Sequence, residues 1–296
     1  MTGGARVTFH GVRGSTPCDG PQLARYGGNT SCVAIEADEH EPIVLDLGTG
    51  LRAYGNAIAD AGNAAGFHAS VLLTHLHWDH VQGLPFFAPL QCPESALDVF
   101  GPRQDGGRLA EVFAGVMCPP YFPIRPDELV GQVSFTDTGD DDFPVGSAKV
   151  RSRWVRHVGP TLGFRVEIGG VSVAYISDHG QGCGGGSTVE GDEYVPQEVL
   201  ELADGADLLI HDSQHTPTEF VDKRHYGHCT IEYAVHVARE AGARQLALFH
   251  HDPSHSDAQV DQLVHGAQEI AASVGSTTVF GASEGLVVPL APAHAR

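Results

Sequence analysis

The sequence predicts an α/β (α+β) fold in which two β-sheets pack face to face and helices cover their outer surfaces. Strand-like apolar runs occur in both halves of the 296-residue chain, and segments with helical periodicity flank each set. A sheet must bury its apolar faces against another sheet or a layer of helices. No repeat, low-complexity tract or linker interrupts the chain, so we expect residues 1–296 to form a single domain.

The first half is predicted to alternate strands with short helices. The predicted strands cover residues 6–12, 31–36, 42–47, 69–73 and 96–100. Helices are predicted over 51–61, where Gly62 marks the end, over 108–116, and in a short piece beginning near 81–87. Three prolines within residues 118–123 exclude regular pairing, so an irregular loop is expected there.

The second half repeats this alternation. Strands are predicted near 145–158 and at 163–168, 171–176, 206–210 and 244–249, and two short strands are expected near the end. Helices are predicted at 194–203, 230–241 and about 257–273. The glycine-rich segment 179–191 is expected to be a loop, because it lacks both the Lys-Ser/Thr of a P-loop and a preceding dinucleotide-binding pattern.

Composition and charge limit the partners. The chain carries 17 basic and 37 acidic side chains, a formal charge of −20, which disfavours long nucleic acid as a partner. No stretch approaches the roughly 20 apolar residues that span a bilayer, and the start lacks the pattern of a secretory signal. The six cysteines are scattered, so we expect reduced thiols and a cytoplasmic protein. A homodimer remains compatible with the sequence.

Residues 74–80, Thr-His-Leu-His-Trp-Asp-His, are the most informative stretch. Three imidazoles and a carboxylate directly follow the apolar run 69–73, so they lie where a buried strand ends. His75 and His77 are two residues apart and face the same way on an extended segment, which allows them to share one metal. Asp79 and His80 follow a bend and point elsewhere, towards a second metal. These donors suit zinc, manganese or iron(II).

Three later segments also end strand-like runs with a metal-binding side chain. They are Trp154-Val155-Arg156-His157, Ala174-Tyr175-Ile176-Ser177-Asp178 and Leu246-Ala247-Leu248-Phe249-His250. Strand ends present their side chains at the rim of a sheet, where separate segments can converge.

The motif at 74–80 resembles the HxHxDH signature of the metallo-β-lactamase superfamily, and the resemblance covers nearly the whole chain. It implies a four-layer αββα sandwich. Asp46, after the run 43–45, matches an earlier aspartate of the family. The family's order assigns His75, His77 and His157 to one metal. It assigns Asp79, His80 and His250 to a second metal, with Asp178 bridging the two.

The resemblance implies a hydrolase that uses two divalent ions, most simply zinc, with manganese or iron as alternatives. Two such ions about 3.5–4 Å apart share a water and lower its pKa towards about 7, which gives a hydroxide nucleophile. Asp79 is expected to aim this nucleophile. Hydrolases of lactams, thioesters, lactones and phosphodiesters share this chemistry, so it does not name the substrate.

The segment between Asp178 and His250 is similar to the ribonuclease Z-like and cyclic phosphodiesterase branch of the superfamily. There an acid after a strand and a histidine before a helix precede the last ligand. Asp212 and His228 occupy these positions here, with aspartate in place of glutamate and Cys229 in place of serine. An imidazole oriented by a carboxylate can protonate a leaving alkoxide.

The function predicted first is a metal-dependent phosphodiesterase for a small, in particular cyclic, nucleotide or a related phosphodiester. An RNA 3′-end-processing nuclease is the alternative within this class, although no long basic arm is present to grip tRNA. An acyl hydrolase such as a lactonase or thioesterase, and a non-catalytic binding protein, are alternatives from other classes. Whether His225, His251, His255 and the turn Arg13-Gly14-Ser15-Thr16 contact substrate is left open.

Overall fold

The structure of the protein, a computed structural model, describes residues 4–182, 193–275 and 277–292. Its strands are β1 (Ala5–Gly11), β2 (Cys32–Glu36), β3 (Ile43–Leu45), β4 (His68–Leu72), β5 (Ala96–Pro102), β6 (Gln132–Thr138), β7 (Asp141–Val145), β8 (Ala148–Trp154), β9 (Leu162–Ile168), β10 (Val171–Ile176), β11 (Leu208–Asp212), β12 (Gln245–Phe249), β13 (Thr278–Gly281) and β14 (Val287–Leu290). Its α-helices are α1 (Gly50–Asp60), α2 (Leu109–Val116), α3 (Gln197–Ala203), α4 (Pro217–Lys223), α5 (Ile231–Glu240) and α6 (Asp257–Val274).

The strands form two seven-stranded mixed sheets. The first sheet has the order β14-β1-β2-β3-β4-β5-β6, and the second has the order β13-β12-β11-β10-β9-β8-β7. In the first sheet β3, β4, β5 and β6 run parallel to one another, and in the second β10, β11, β12 and β13 do so. Side chains that follow neighbouring parallel strands therefore gather at one edge of each sheet.

Three apolar clusters hold four layers together. The central cluster lies between the sheets and includes fully buried Phe9 of the first sheet and Phe164 of the second. A second cluster packs α3, α5 and α6 on the outer face of the second sheet, and a third packs α1 and α2 on the first. Full burial of one such large apolar side chain contributes about 1.5–3 kcal/mol. The predicted αββα sandwich is confirmed.

Most predicted elements are present within a few residues of their expected ends. The strand predicted near 145–158 is shorter in the structure: β8 begins at Ala148, after a turn at Gly146 with a φ of +56° that joins it to the preceding strand β7. Strands β6 and β7 and helix α4 were not predicted. Residues 183–191 of the predicted glycine-rich loop lie outside the described residues.

Both sheets share the central cluster, and we infer from this that residues 1–296 form one domain. Among the helices of the described ranges, none combines the length and apolarity needed to cross a bilayer.

Candidate metal centre

The predicted site residues come together at one edge of the sandwich, where strands of both sheets end. His75 and His77 follow β4, and the next residues form a short 3₁₀ helix, Trp78–His80. From the second sheet, His157 follows β8, Asp178 follows β10 and His250 follows β12. The parallel pairing of β10, β11 and β12 brings their carboxyl ends to this edge.

The first group contains three histidines. The Nε2 atom of His157 lies 3.2 Å from Nδ1 of His77. The ring of His75 lies 4.4 Å from that of His77 and 5.0 Å from that of His157, measured between centroids. Each residue offers a donor atom within 4.8 Å of the other two, so the group has the size of a metal-binding triad.

The second group contains a carboxylate and two histidines. Oδ2 of Asp79 lies 3.3 Å from Nε2 of His80 and 3.1 Å from Nε2 of His250. The rings of His80 and His250 are nearly parallel, with centroids 5.4 Å apart. The donor atoms of these three residues also lie within 4.8 Å of one another.

Asp178 lies between the two groups. Its Oδ2 atom is 3.6 Å from Nε2 of His157 and 3.4 Å from Nε2 of His250. Its Oδ1 atom is 3.1 Å from Nε2 of His80. One buried carboxylate therefore faces both groups, as a bridging ligand must.

The donor atoms fit divalent metal ions. Nε2 of His75 is buried without a hydrogen-bond partner among the described residues. Nε2 of His80 and Oδ1 of Asp178, although 3.1 Å apart, form no hydrogen bond with each other or with another described residue. Buried polar atoms are normally paired, so these atoms are suited to a ligand at this point. Burial lowers the pKa of His75 well below its usual value and that of His157 to about 4, which keeps both rings neutral. Neutral imidazole is the form that binds metal.

Asp46 orients the ring of His80 in the second group through a hydrogen bond. It follows β3, is fully buried, and its Oδ2 lies 2.7 Å from Nδ1 of His80, so that Nε2 points into the site. The hydroxyl of Tyr175 donates to the same oxygen at 2.8 Å, and the backbone N–H of Thr74 donates to Oδ1 at 2.7 Å. Partners of this kind fix the orientation of a ligating ring.

Replacing Asp46 with asparagine is expected to lower metal affinity about 10- to 100-fold, because the ring of His80 loses its charged partner. Metal content after dialysis against graded chelator concentrations measures this effect. Tyr175→Phe is the matched control, since it removes one hydrogen bond from Asp46 without contacting His80. Equal metal affinity in Asp46→Asn and the unaltered protein would contradict the assignment.

Further backbone and side-chain contacts position the remaining site residues. Gln214 accepts a hydrogen bond from Nδ1 of His250 at 2.9 Å and donates to Oγ of Ser15 at 3.1 Å. The N–H of Ser15 donates to Oδ2 of Asp79 at 2.7 Å.

His157 of the first group is positioned by the backbone of Gly227. The carbonyl of Gly227 accepts a hydrogen bond from Nδ1 of His157 at 2.7 Å, and a Cβ at this glycine would lie 2.7 Å from that nitrogen.

Backbone strain is concentrated at this centre. Four non-glycine residues of the described chain have a positive φ, and three of them belong to the site: Ser15, Asp46 and His250, at 60° to 62°. Such conformations persist only where the surrounding packing enforces them, and they cluster at functional sites.

Asp212 and His228 form the expected pair beside the metal groups. Nδ1 of His228 lies 2.8 Å from Oδ2 of Asp212, the last residue of β11. Asp212 is fully buried and also accepts the backbone N–H of His179 at 3.1 Å. Burial alone would lower the pKa of His228, but the charge and hydrogen bond of Asp212 outweigh burial and raise that pKa. The arrangement favours a protonated ring.

The site opens into a cleft of about 730 Å³. His77, Asp79, His157, Asp178 and His228 all line it, so both groups and the Asp212–His228 pair are accessible to a small molecule.

The sequence left open whether His225, His251 and His255 contact substrate, and none of these three histidines lines the cleft. His251 is buried and Nε2 of its ring lies 2.9 Å from the carbonyl of Ala282. His255 is paired with Glu219 at 2.8 Å, and the ring of His225 lies against that of Tyr226, with centroids 4.2 Å apart. In the turn after β1, Arg13 is fully buried and bound to backbone carbonyls, whereas Ser15 lines the cleft.

Several contacting residues were not indicated by any pattern in the sequence. Tyr175 and Gln214 reach the site only through the packing of separate strands and loops. Ser15 belongs to the turn at 13–16, whose contact with substrate the sequence left open. His215 and Lys223 line the cleft on the segment around α4, which sequence reasoning did not predict.

The geometry and the sequence identify one family. Residues 43–251 match the model of a family described as a beta-lactamase superfamily domain, which covers all of the predicted metal-binding residues. The chain therefore belongs to the metallo-β-lactamase superfamily and is a hydrolase with that fold. Its histidine and aspartate groups fit the divalent metals that this fold family binds.

Known relatives agree with this assignment. Ribonuclease Z of Lactococcus lactis subsp. cremoris (strain SK11) is 27% identical over 247 residues, which cover 69% of this chain and 77% of the relative. The metallo-beta-lactamase fold protein YhfI of Bacillus subtilis aligns with a TM-score of 0.69 and 18% identity over 97% of this chain and 99% of YhfI. A diphosphatase of the PhnP family aligns with a TM-score of 0.67 and 17% identity over 96% and 97% of the two chains.

Proposed function

We propose that the protein is a metal-dependent phosphodiesterase that cleaves a small nucleotide, in particular a cyclic one, or a related phosphodiester. The observation that carries this proposal is the Asp212–His228 pair beside the two metal-binding groups. Hydrolysis of a phosphodiester expels an alkoxide, which needs a proton. A histidine that is hydrogen-bonded to a carboxylate, as His228 is to Asp212, can donate that proton as a general acid.

The proposed ligands are His75, His77 and His157 for one ion and Asp79, His80 and His250 for the other. Asp178 is proposed as the bridge between them. Divalent ions bound there, with zinc the best match to imidazole and carboxylate donors, would supply Lewis-acid activation of water and of the phosphoryl oxygens.

Asp79 is proposed to orient the attacking water. Its Oδ2 atom is fixed by the N–H of Ser15 and lies beside Nε2 of His250, another side chain proposed to hold the same ion. A carboxylate held on two sides can accept a hydrogen bond from water in a defined direction, towards the phosphorus atom. As the water oxygen bonds to phosphorus, the water loses a proton to solvent and the bond from phosphorus to the leaving oxygen breaks.

His228 is proposed to protonate that leaving oxygen. Because Nδ1 is bonded to Asp212, the Nε2–H group is the one available to the cleft. Asp212 remains ionised and stabilises the protonated ring before the proton is transferred. This role matters most for alkoxides of high basicity, and nucleotide esters release such alkoxides.

Charge favours a small substrate. A chain with a net charge of −20 repels long polyanions, whose binding depends on many Lys and Arg contacts. The similarity to ribonuclease Z supports RNA 3′-end processing as the second candidate.

The scattered cysteines, of which the five described are free, support a reducing compartment such as the cytoplasm.

A substrate panel tests the proposal. The metal-loaded protein is assayed with 2′,3′- and 3′,5′-cyclic nucleotides, bis(p-nitrophenyl) phosphate, precursor tRNA and a lactone, with chelator-treated protein as the control. We expect the highest kcat/KM among the small phosphodiesters and none after chelation. Rapid cleavage of precursor tRNA alone would favour the nuclease, and faster turnover of the lactone would favour an acyl hydrolase.

A further inference from the structure

Two exposed aromatic side chains flank the proposed metal centre. Trp78 lies between His77 and Asp79 in the chain, and its side chain is 67% exposed. Tyr226 precedes His228 by two residues and is 56% exposed. Both line the cleft. Large aromatic rings are usually buried, so two exposed rings beside a reactive centre offer apolar faces to a ligand.

A buried histidine in the same cleft has unsatisfied hydrogen-bonding capacity. His215 is only 1% exposed and lines the cleft, with its ring 5.7 Å from that of His228. Neither ring nitrogen has a hydrogen-bond partner within the described part of the chain. A buried polar group without a partner is costly, so a ligand group at this position would be stabilising.

The surroundings of His215 favour an uncharged ligand group. Nζ of Lys223 is paired with Oδ2 of Asp252 at 2.9 Å, so the positive charge of this lysine is compensated. Nδ1 of His215 lies 3.9 Å from the same oxygen, too far for a hydrogen bond. Burial lowers the pKa of His215 to about 4, which leaves a neutral ring with one donor and one acceptor.

We propose that Trp78, Tyr226 and His215 form a nucleoside-binding subsite. The base stacks on the exposed rings, and a polar base edge or a sugar hydroxyl bonds to His215. This inference rests on the proposed phosphodiesterase function and makes its substrate more specific. The substrate is a phosphodiester that carries a nucleoside, and Trp78 and His215 determine that preference.

A matched pair of cyclic substrates tests the subsite. Adenosine 2′,3′-cyclic phosphate and glycerol 1,2-cyclic phosphate share the reacting five-membered ring, but only the first has a base. Base stacking on an aromatic side chain is worth about 1–3 kcal/mol. Trp78→Ala is therefore expected to raise KM for the adenosine substrate about 5- to 150-fold and to leave KM for the glycerol substrate within about twofold.

Three further variants separate stacking and hydrogen bonding from loss of structure. Trp78→Phe keeps an aromatic face and should retain most of the affinity. Tyr121→Ala removes an exposed ring outside the cleft lining and should change neither KM. His215→Ala should raise KM for the adenosine substrate alone, and His215→Asn, which keeps a donor and an acceptor, should restore part of it. Metal content is measured on each variant.

A binding experiment tests the nucleoside subsite independently of catalysis. The chain has two tryptophans, and Trp154→Phe leaves Trp78 as the single tryptophan, whose emission can be excited selectively over that of tyrosine. Adenosine is expected to quench its fluorescence saturably, whereas glycerol should not. If adenosine quenches but no phosphodiester is cleaved, the proposed function fails and the subsite stands. If phosphodiesters are cleaved but Trp78→Ala changes both KM values equally, or adenosine causes no quenching at millimolar concentration, the subsite is wrong.

Discussion

Replacing Asp178 with asparagine is expected to abolish most of the metal binding and to reduce phosphodiester hydrolysis at least about 1,000-fold. Asp178 is the only side chain whose carboxylate lies within 4 Å of histidines from both groups among the described residues. An amide oxygen carries no negative charge. Two cations at this site would therefore lose the negative charge that lies between them and reduces their mutual repulsion. Metal ions contribute several kcal/mol of transition-state stabilisation, and about 4 kcal/mol corresponds to the stated factor.

Metal content by plasma mass spectrometry and kcat/KM on a cyclic nucleotide measure this effect. Asp207→Asn is the matched control, because Asp207 is a partly buried carboxylate that precedes β11, at the opposite end of the strand from the site. It bonds to Ser172 and Arg244, so its change should lower stability without altering metal content. Full metal content and full activity in Asp178→Asn would remove Asp178 from the centre.

Replacing His228 with alanine is expected to slow substrates with poor leaving groups about 100- to 10,000-fold, the usual range for a lost general acid. Bis(p-nitrophenyl) phosphate should lose less than about tenfold, because p-nitrophenolate leaves without needing a proton. The ratio of kcat values for a cyclic nucleotide and the p-nitrophenyl ester isolates protonation from damage to the metal centre.

Two comparisons sharpen this test. Asp212→Asn should show the same dependence on the leaving group with a smaller loss, because Asp212 acts by positioning His228. His265→Ala changes an exposed histidine on α6, and its kinetics should match those of the unaltered protein. Equal losses on both substrates in His228→Ala would reassign His228 to binding or to metal coordination.

The outline of the site was predictable because it depends on local patterns. Strand-like runs followed by His75, His157, Asp178 and His250 indicate side chains at sheet ends, and the strands are present where those patterns predict them. The register of each run also decided which side chain faces the rim. His250, not His251, joins the site because His251 turns away towards Ala282.

The contacts that orient these residues were not predictable. Tyr175 reaches Asp46 across the interface of the two sheets, 129 positions along the chain, and no local pattern encodes that contact. The connection of Ser15 through Gln214 to His250 depends on loops from distant segments in the same way.

Helix α4 is a different case, because its signal was present. Thr216, Pro217 and Glu219 form a capping box with proline in the first turn, which is a recognised start of a helix. Strand β6 lies at the edge of the first sheet, where alternate residues are exposed. Because many of its residues are polar, its sequence resembles that of a loop. Both omissions concern elements outside the metal centre itself.

The most direct test is an anomalous-scattering crystal structure of the zinc-loaded protein. The proposal predicts two zinc peaks about 3.5–4 Å apart. One peak should be bound by His75, His77 and His157 and the other by Asp79, His80 and His250, with Asp178 in contact with both. A single peak, or peaks bound by other side chains, would contradict the paired-metal centre on which the proposed chemistry depends.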